Sequence, residues 1–146
     1  MNARAGAALY TSEILALAVE LADFPLDPDL SLQGQAQSRI CGSRVTIGIE
    51  PSQGGAIARI GARVSACAIG QASAALFLRA AAGRGEAEIA AALLDMEAWL
   101  AGGEILPAWP GIDRLASARP YAARHAAILL PWKAALAALS NPSPGV

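Results

Sequence analysis

Cys41 and Cys67 are the residues of this chain whose type is best suited to chemistry. A thiolate binds soft metal ions and carries sulfur, and the unpaired N–H groups at a helix N-terminus favour that form. Cys67 stands at such a position, because Val64 and the alternating residues before it favour a strand and the alanine-rich run from Ala68 favours a helix. Cys41 opens another predicted strand, so an antiparallel sheet could bring both thiols to one edge. The alternative is that both are small core residues, as free cysteines often are.

The segments that would position these thiols indicate an α+β domain, with a small antiparallel sheet of two or three strands covered by helices. Strands are predicted over 39–50, where Val45, Ile47 and Ile49 alternate with polar or small residues, and over 56–62 with a continuation over 63–66. A glycine-containing turn at 52–55 joins them. The predicted helices cover 10–22, 68–82, 86–100, 112–118 and 120–139. The segments 23–38 and 106–111 are predicted as loops.

Length and composition narrow the class of protein. The 146 residues predict one domain over 1–146, with an ordered core over about 10–139 and loose termini. A net charge of −1 with scattered arginines gives no basic patch for nucleic acid, and no apolar run reaches the ~18 residues of a membrane span. Two cysteines do not make a disulfide framework, which predicts a cytoplasmic protein. No serine–histidine–aspartate order or aligned carboxylate pair indicates an enzyme.

Three motifs carry a resemblance to a known family. They are Cys41-Gly42-Ser43, the run Ala-Cys-Ala-Ile-Gly-Gln-Ala-Ser over 66–73, and the run Arg-His-Ala-Ala-Ile-Leu-Leu-Pro-Trp over 124–132. Over about 10–139 the chain resembles the iron–sulfur cluster scaffold family, which includes IscU, SufU and the N-terminal domain of NifU. That family reads Cys-Gly-Asp, Gly-Cys-Ala-Ile-Ser-x-Ala-Ser and Arg-x-Lys-Cys-Ala-x-Leu-x-Trp at the three places. The resemblance implies an IscU/SufE-like fold.

The resemblance also implies a function and a ligand set. Family members assemble iron–sulfur clusters with a cysteine desulfurase and other assembly proteins, and three cysteines and an aspartate hold zinc or a nascent cluster. Cys41 and Cys67 would then be thiolate ligands or sulfur acceptors. Ser43 stands in place of the aspartate and Ala127 in place of the third cysteine. Two thiols do not close a four-coordinate site, so a metal would need other ligands, water or a second chain.

His125, the only histidine of the chain, is a weak further candidate for the missing ligand, as is the hydroxyl of Ser43. His125 lies two residues before Ala127, which on a helix is about 200° of rotation away from the site. It reaches the site only if this segment is a turn that enters the helix. Two other functions are left open: a relative that only binds partner proteins of the pathway, and a metal-free sulfur relay. Whether a homodimer completes the site is also open.

Overall fold

The computed structural model describes residues 11–40 and 42–140. In chain order these residues form α1 (Ser12–Val19) with a 3₁₀ turn (Glu20–Asp23), β1 (Leu32–Gln37), β2 (Arg44–Pro51), β3 (Ile57–Ser65), α2 (Ala68–Ala81), α3 (Glu86–Leu100), a 3₁₀ helix (Ile112–Ala118) and α4 (Ala122–Ser140). The α+β class is confirmed. The predicted loose termini and the helix start at Tyr10 lie outside the described residues, and so does Cys41.

The sheet has the order β1-β2-β3, and both neighbouring pairs are antiparallel. β2 is the central strand, and its alternating residues Val45, Ile47 and Ile49 are fully buried, as their spacing predicts. Ile47 lies opposite Gly34 on β1 and opposite Ala62 on β3. The number of strands agrees with the upper limit of the prediction, but the predicted continuation over 63–66 is part of β3, and the third strand is β1.

The prediction of a loop over 23–38 is wrong, because β1 lies within it. This strand reads Leu-Gln-Gly-Gln-Ala-Gln and has almost no intrinsic preference for a strand. β2 supplies its hydrogen-bonding partner, and a Cβ atom at Gly34 would collide with the backbone of α4 at Ala138. Glycine therefore lets the strand and the helix approach closely. Tertiary contacts, rather than local preference, form β1.

Two predicted boundaries also move. The strand predicted over 39–50 begins only at Arg44: residues 39 and 40 form a turn, and the Ser38 N–H donates to the Ser43 carbonyl at 2.8 Å. The first helix is regular only to Val19 and then tightens into the 3₁₀ turn. The helices predicted over 68–82, 86–100 and 120–139 are confirmed within two residues at each end. The loop over 106–111 is confirmed, and 112–118 is a 3₁₀ helix.

Three large aromatic rings stand at the centre of the helical layer. Phe77 of α2 stacks on Trp109 with 5.1 Å between ring centroids, and Trp132 of α4 packs edge-on against both at 5.2 and 5.4 Å. The indole N–H of Trp109 donates to the Leu76 carbonyl at 3.0 Å. Trp99 is buried as well, so all three tryptophans pack in the helical layer. Among the described residues, no helix combines the length and apolarity needed to cross a bilayer.

Candidate functional site

Cys67 occupies the joint between β3 and α2. It is the N-cap residue of α2, with extended backbone angles of φ −63° and ψ 168°, and its carbonyl accepts the Gln71 N–H at 2.9 Å. Its thiol is free, half-buried and makes no capping hydrogen bond. The predicted passage from strand to helix at Cys67 is confirmed. Cys67 thus stands at the N-terminus of a core helix, whose first N–H groups have no partner within the helix, and the residue is only partly buried.

Gln71 holds this joint from the first turn of the helix. Its side-chain amide donates to the carbonyl of Ala66 at 2.9 Å, one residue before the cysteine. The main chain of Gln71 and its side chain therefore both bind the segment that carries Cys67. Two hydrogen bonds from one residue fix the direction in which the chain leaves the sheet. Sequence reasoning missed this contact, because glutamine in a helix is usually only a solvated residue.

The position that corresponds to the family's third cysteine packs against the same turn. A Cβ atom at Gly70 would lie 3.4 Å from the Cβ of Ala127 and 2.8 Å from the Cβ of Ala66. One turn further along, the Ser73 hydroxyl donates to the Ile128 carbonyl at 2.6 Å. Ala127 is fully buried and offers a methyl group, which cannot ligate a metal. The α2–α4 contact thus brings this position next to the Cys67 turn without a donor atom.

Two residues of the Cys67 motif differ in size from the family's pattern, one being larger and the other smaller. The family has glycine before the cysteine and serine three residues after it, whereas this chain has Ala66 and Gly70. The 2.8 Å separation shows that the Ala66 methyl group leaves no room for a side chain at position 70. The added methyl group and the removed side chain therefore compensate each other. The sequence shows both differences from the family's pattern, but only the structure shows that the two residues are in contact.

Ser43 lies at the same end of the sheet as the Cys67 joint. It directly precedes Arg44, which pairs with Ser65 on β3, and Ser65 is two residues before Cys67. Ser43 is buried, with 3% of its surface exposed, and its carbonyl accepts the Ser38 N–H. The antiparallel register therefore brings the Ser43 position and the Cys67 joint to the same end of the sheet. Since Cys41 lies outside the described residues, the meeting of the two thiols stays a prediction.

His125 lies inside α4, so this segment is not the entering turn that would aim its ring at the site. The ring is half-buried, and Nε2 donates to the carbonyl of Arg119 at 2.7 Å. Ala127, two residues later on the same helix, faces Gly70. The structure therefore places His125 beside Arg119 and on a different side of the helix from Ala127. Its role as a ligand stays a prediction, which this hydrogen bond does not favour.

The described donor atoms do not complete a metal site. Within 11–40 and 42–140, no group of three or more histidine, cysteine or acidic side chains is arranged to hold a metal ion. Cys67 brings one thiol, whereas Ser43 and Ala127 stand where the family has an aspartate and a cysteine. A tetrahedral zinc or cluster site needs four good ligands. The residues at this edge therefore fit a thiol site better than a closed metal centre.

The chain thus combines an α+β fold with a thiol at the joint between β3 and α2. No protein-family model matches it, and no curated protein matches it. Among solved structures it is similar to a nitrogen-fixing NifU-like protein (N-terminal) from Brucella abortus, with a TM-score of 0.79, 27% identity, and coverage of 90% of this chain and 92% of the other. It is also similar to a putative iron–sulfur cluster assembly scaffold protein for the SUF system from Fervidobacterium islandicum AW-1. The TM-score is 0.79 and the identity 24%, with 90% of this chain and 96% of the other covered. A hypothetical protein matches with a TM-score of 0.67 and 19% identity, and the match covers 88% of this chain and 97% of the other.

These similarities confirm the resemblance to NifU- and SufU-type scaffold proteins and the IscU-like fold that it implies. They extend over nine-tenths of this chain and of each of the first two neighbours. The three-stranded sheet and the helices that cover it agree with the α+β class predicted from the sequence.

Proposed function

We propose that this chain is a scaffold-like protein of iron–sulfur cluster assembly that handles sulfur or iron through Cys67 and Cys41 and is not itself an enzyme. The observation that carries the proposal is the similarity, over 90% of this chain, to the NifU-like protein (N-terminal) of Brucella abortus, with Cys67 at the N-terminus of α2. The partner expected to supply sulfur is a cysteine desulfurase. The cytoplasmic location of this chain stays a prediction from its cysteine content.

Cys67 is suited to receive sulfur by thiol exchange. Its thiolate would attack the outer sulfur of a persulfide on the donor enzyme, a new sulfur–sulfur bond would form on Cys67, and the donor thiolate would leave. The step moves one sulfur atom without net oxidation or reduction. The half-buried position of Cys67 leaves the thiol open to a donor, and Gln71 holds the backbone on either side of it. Cys41 is the second thiol in this proposal.

Iron, zinc or a nascent cluster would be cargo held with ligands from beyond the described residues. Ala127 contributes no donor, and the hydroxyl of Ser43 is a weaker ligand for such metals than the carboxylate of the family. The fourth and third ligands would come from a partner protein, from a second copy in a homodimer, or from water. The weakened donor set also supports a second candidate function, in which the protein binds assembly partners and transfers neither metal nor sulfur.

A transfer assay separates these functions. The protein is incubated anaerobically with a cysteine desulfurase and cysteine, and intact-mass spectrometry counts the sulfur atoms added to the wild type, Cys67→Ser, Cys41→Ser and the double variant. Desulfurase binding is measured on the same samples. Addition of sulfur that is lost with Cys67 supports the proposal. Binding that survives loss of both thiols, with no sulfur added to the wild type, supports the partner-only function instead.

A further inference from the structure

An apolar groove with an acidic rim lies away from the thiol. It has a volume of about 300 Å³ and is formed by the C-terminal part of α3 and the segment 103–108. We call it the α3 groove, and the residues of its lining that matter here are Asp95, Trp99, Glu104, Ile105, Leu106 and Pro107. A cavity of this size accepts one or two large aliphatic side chains.

The lining exposes bulky apolar side chains to solvent. Ile105 is 86% exposed and Leu106 is 48% exposed, and Leu94, next to Asp95 on α3, is 67% exposed. Two of the six exposed large apolar side chains of the described residues thus line this groove, and a third, Leu94, is next to a lining residue in the sequence. Single exposed leucines are common, but a concentration of them around a concave surface indicates a surface that contacts another molecule.

The groove is held in shape by hydrogen bonds at both ends. Arg119 donates to the carbonyls of Trp99 and Gly103, each at 2.7 Å, so the end of α3 and the start of the following segment are fixed together. At the other end, Trp109 is bound to the Leu76 carbonyl and stacked on Phe77. Both ends of the segment between them are therefore anchored to the helical layer. A preformed surface loses little conformational freedom when a ligand binds.

The rim of the groove carries negative charge. α3 contains four acidic residues and no lysine or arginine, and Asp95 together with Glu104 lines the groove. Neither of these two carboxylates has an ion pair within the described part of the chain. Arg119 is not among the lining residues, and its guanidinium lies over the Trp99 ring, 4.7 Å from the centroid. The complementary ligand is therefore cationic at its edges.

We propose that the α3 groove docks a segment of a partner protein that presents one or two large aliphatic side chains flanked by lysine or arginine. The groove is remote from the thiol, because Trp109 is bound at Leu76, which lies nine residues after Cys67 and about 14 Å further along α2. A partner docked here leaves Cys67 accessible. The inference does not depend on the thiol chemistry, so either can fail alone.

The test uses three blocked peptides and the isotope-labelled full chain. The probe is acetyl-Lys-Leu-Leu-Lys-Lys-Leu-Ala-amide, its first counterpart has glutamate for each lysine, and its second has serine for each leucine. Amide resonances of 94–108 should shift saturably with the probe and much less with either counterpart. Replacing both rim charges in Asp95→Asn/Glu104→Gln should weaken binding about fivefold to tenfold at low salt, and added salt should remove that difference.

An apolar variant and a matched control complete the design. Ile105→Ser/Leu106→Ser should abolish saturable binding, whereas Val19→Ser, at an exposed apolar residue of α1, should leave it unchanged. The amide spectrum away from 94–108 reports whether each variant is folded. Equal binding of the glutamate peptide, shifts centred elsewhere, or no saturable shift at all would overturn the proposal. So would a dimer in sedimentation that Ile105→Ser/Leu106→Ser dissociates, because a second copy would then occupy the groove.

Discussion

Restoring the family's serine at position 70 should destabilise this chain. A Cβ atom added at Gly70 would lie 2.8 Å from the Ala66 Cβ, whereas carbon atoms pack best at about 3.5–4.0 Å. The Ala66 methyl group is fixed to the backbone and cannot rotate away. Overpacking of this kind costs about 1–3 kcal/mol, and the better helix preference of serine returns roughly 0.3–0.5 kcal/mol. We expect Gly70→Ser to lower the free energy of unfolding by about 0.5–2.5 kcal/mol.

Urea unfolding of a double-mutant cycle measures this effect. Ala66→Gly removes the obstructing methyl group, so Ala66→Gly/Gly70→Ser should be more stable than the sum of the two single changes by about 1–2 kcal/mol. Gly85→Ser is the matched control, because a Cβ there meets no atom within 4 Å and serine is a favourable N-cap for α3. The compensation would be refuted if Gly70→Ser were as stable as the wild type, or if the two changes were simply additive.

Three further changes test the contacts that position the site. Gly34→Ala should lower the free energy of unfolding by about 3 kcal/mol or more in thermal or urea unfolding, because the new methyl group meets the rigid backbone of α4. Ser73→Ala should cost about 1–2 kcal/mol in the same assays, since it removes a buried 2.6 Å hydrogen bond to α4; an unchanged stability would argue against that bond. Ser43→Asp/Ala127→Cys should increase the zinc content of the purified protein, and a content no higher than that of the wild type would contradict the assignment of the third-cysteine position.

The elements with a clear periodic pattern could be predicted from the sequence. β2 alternates Val45, Ile47 and Ile49. Both α2 and α3 contain good helix formers, and a glycine follows each of them within two residues of its last residue. β1 could not be predicted, because its glutamines and Gly34 have no strand preference of their own. Its formation depends on a long-range partner and on the close approach of α4. Local preference therefore identifies the elements that form alone and misses the one that its neighbours impose.

The site was predictable to a similar extent. The strand-to-helix joint at Cys67 followed from the change of residue types on either side of it, and the structure confirms the joint. The contacts around the joint could not be predicted from the sequence. The hydrogen bond from the Gln71 side chain to the Ala66 carbonyl and the packing of Gly70 against Ala127 depend on the folded geometry. In the sequence, only its residue type and its nearness to Ala127 make His125 a candidate ligand. Its bond to Arg119 depends on the geometry of the helix start.

The most direct test of the central claim is the iron, zinc and sulfide content of anaerobically purified protein, with its absorption spectrum, beside a Cys67→Ser control. The sample is measured as purified and again after incubation with iron, cysteine and a cysteine desulfurase. We predict metal or sulfur bound to the wild type and absent from Cys67→Ser. Wild-type protein that holds no metal and no added sulfur under either condition would contradict the scaffold role, although the fold would stand.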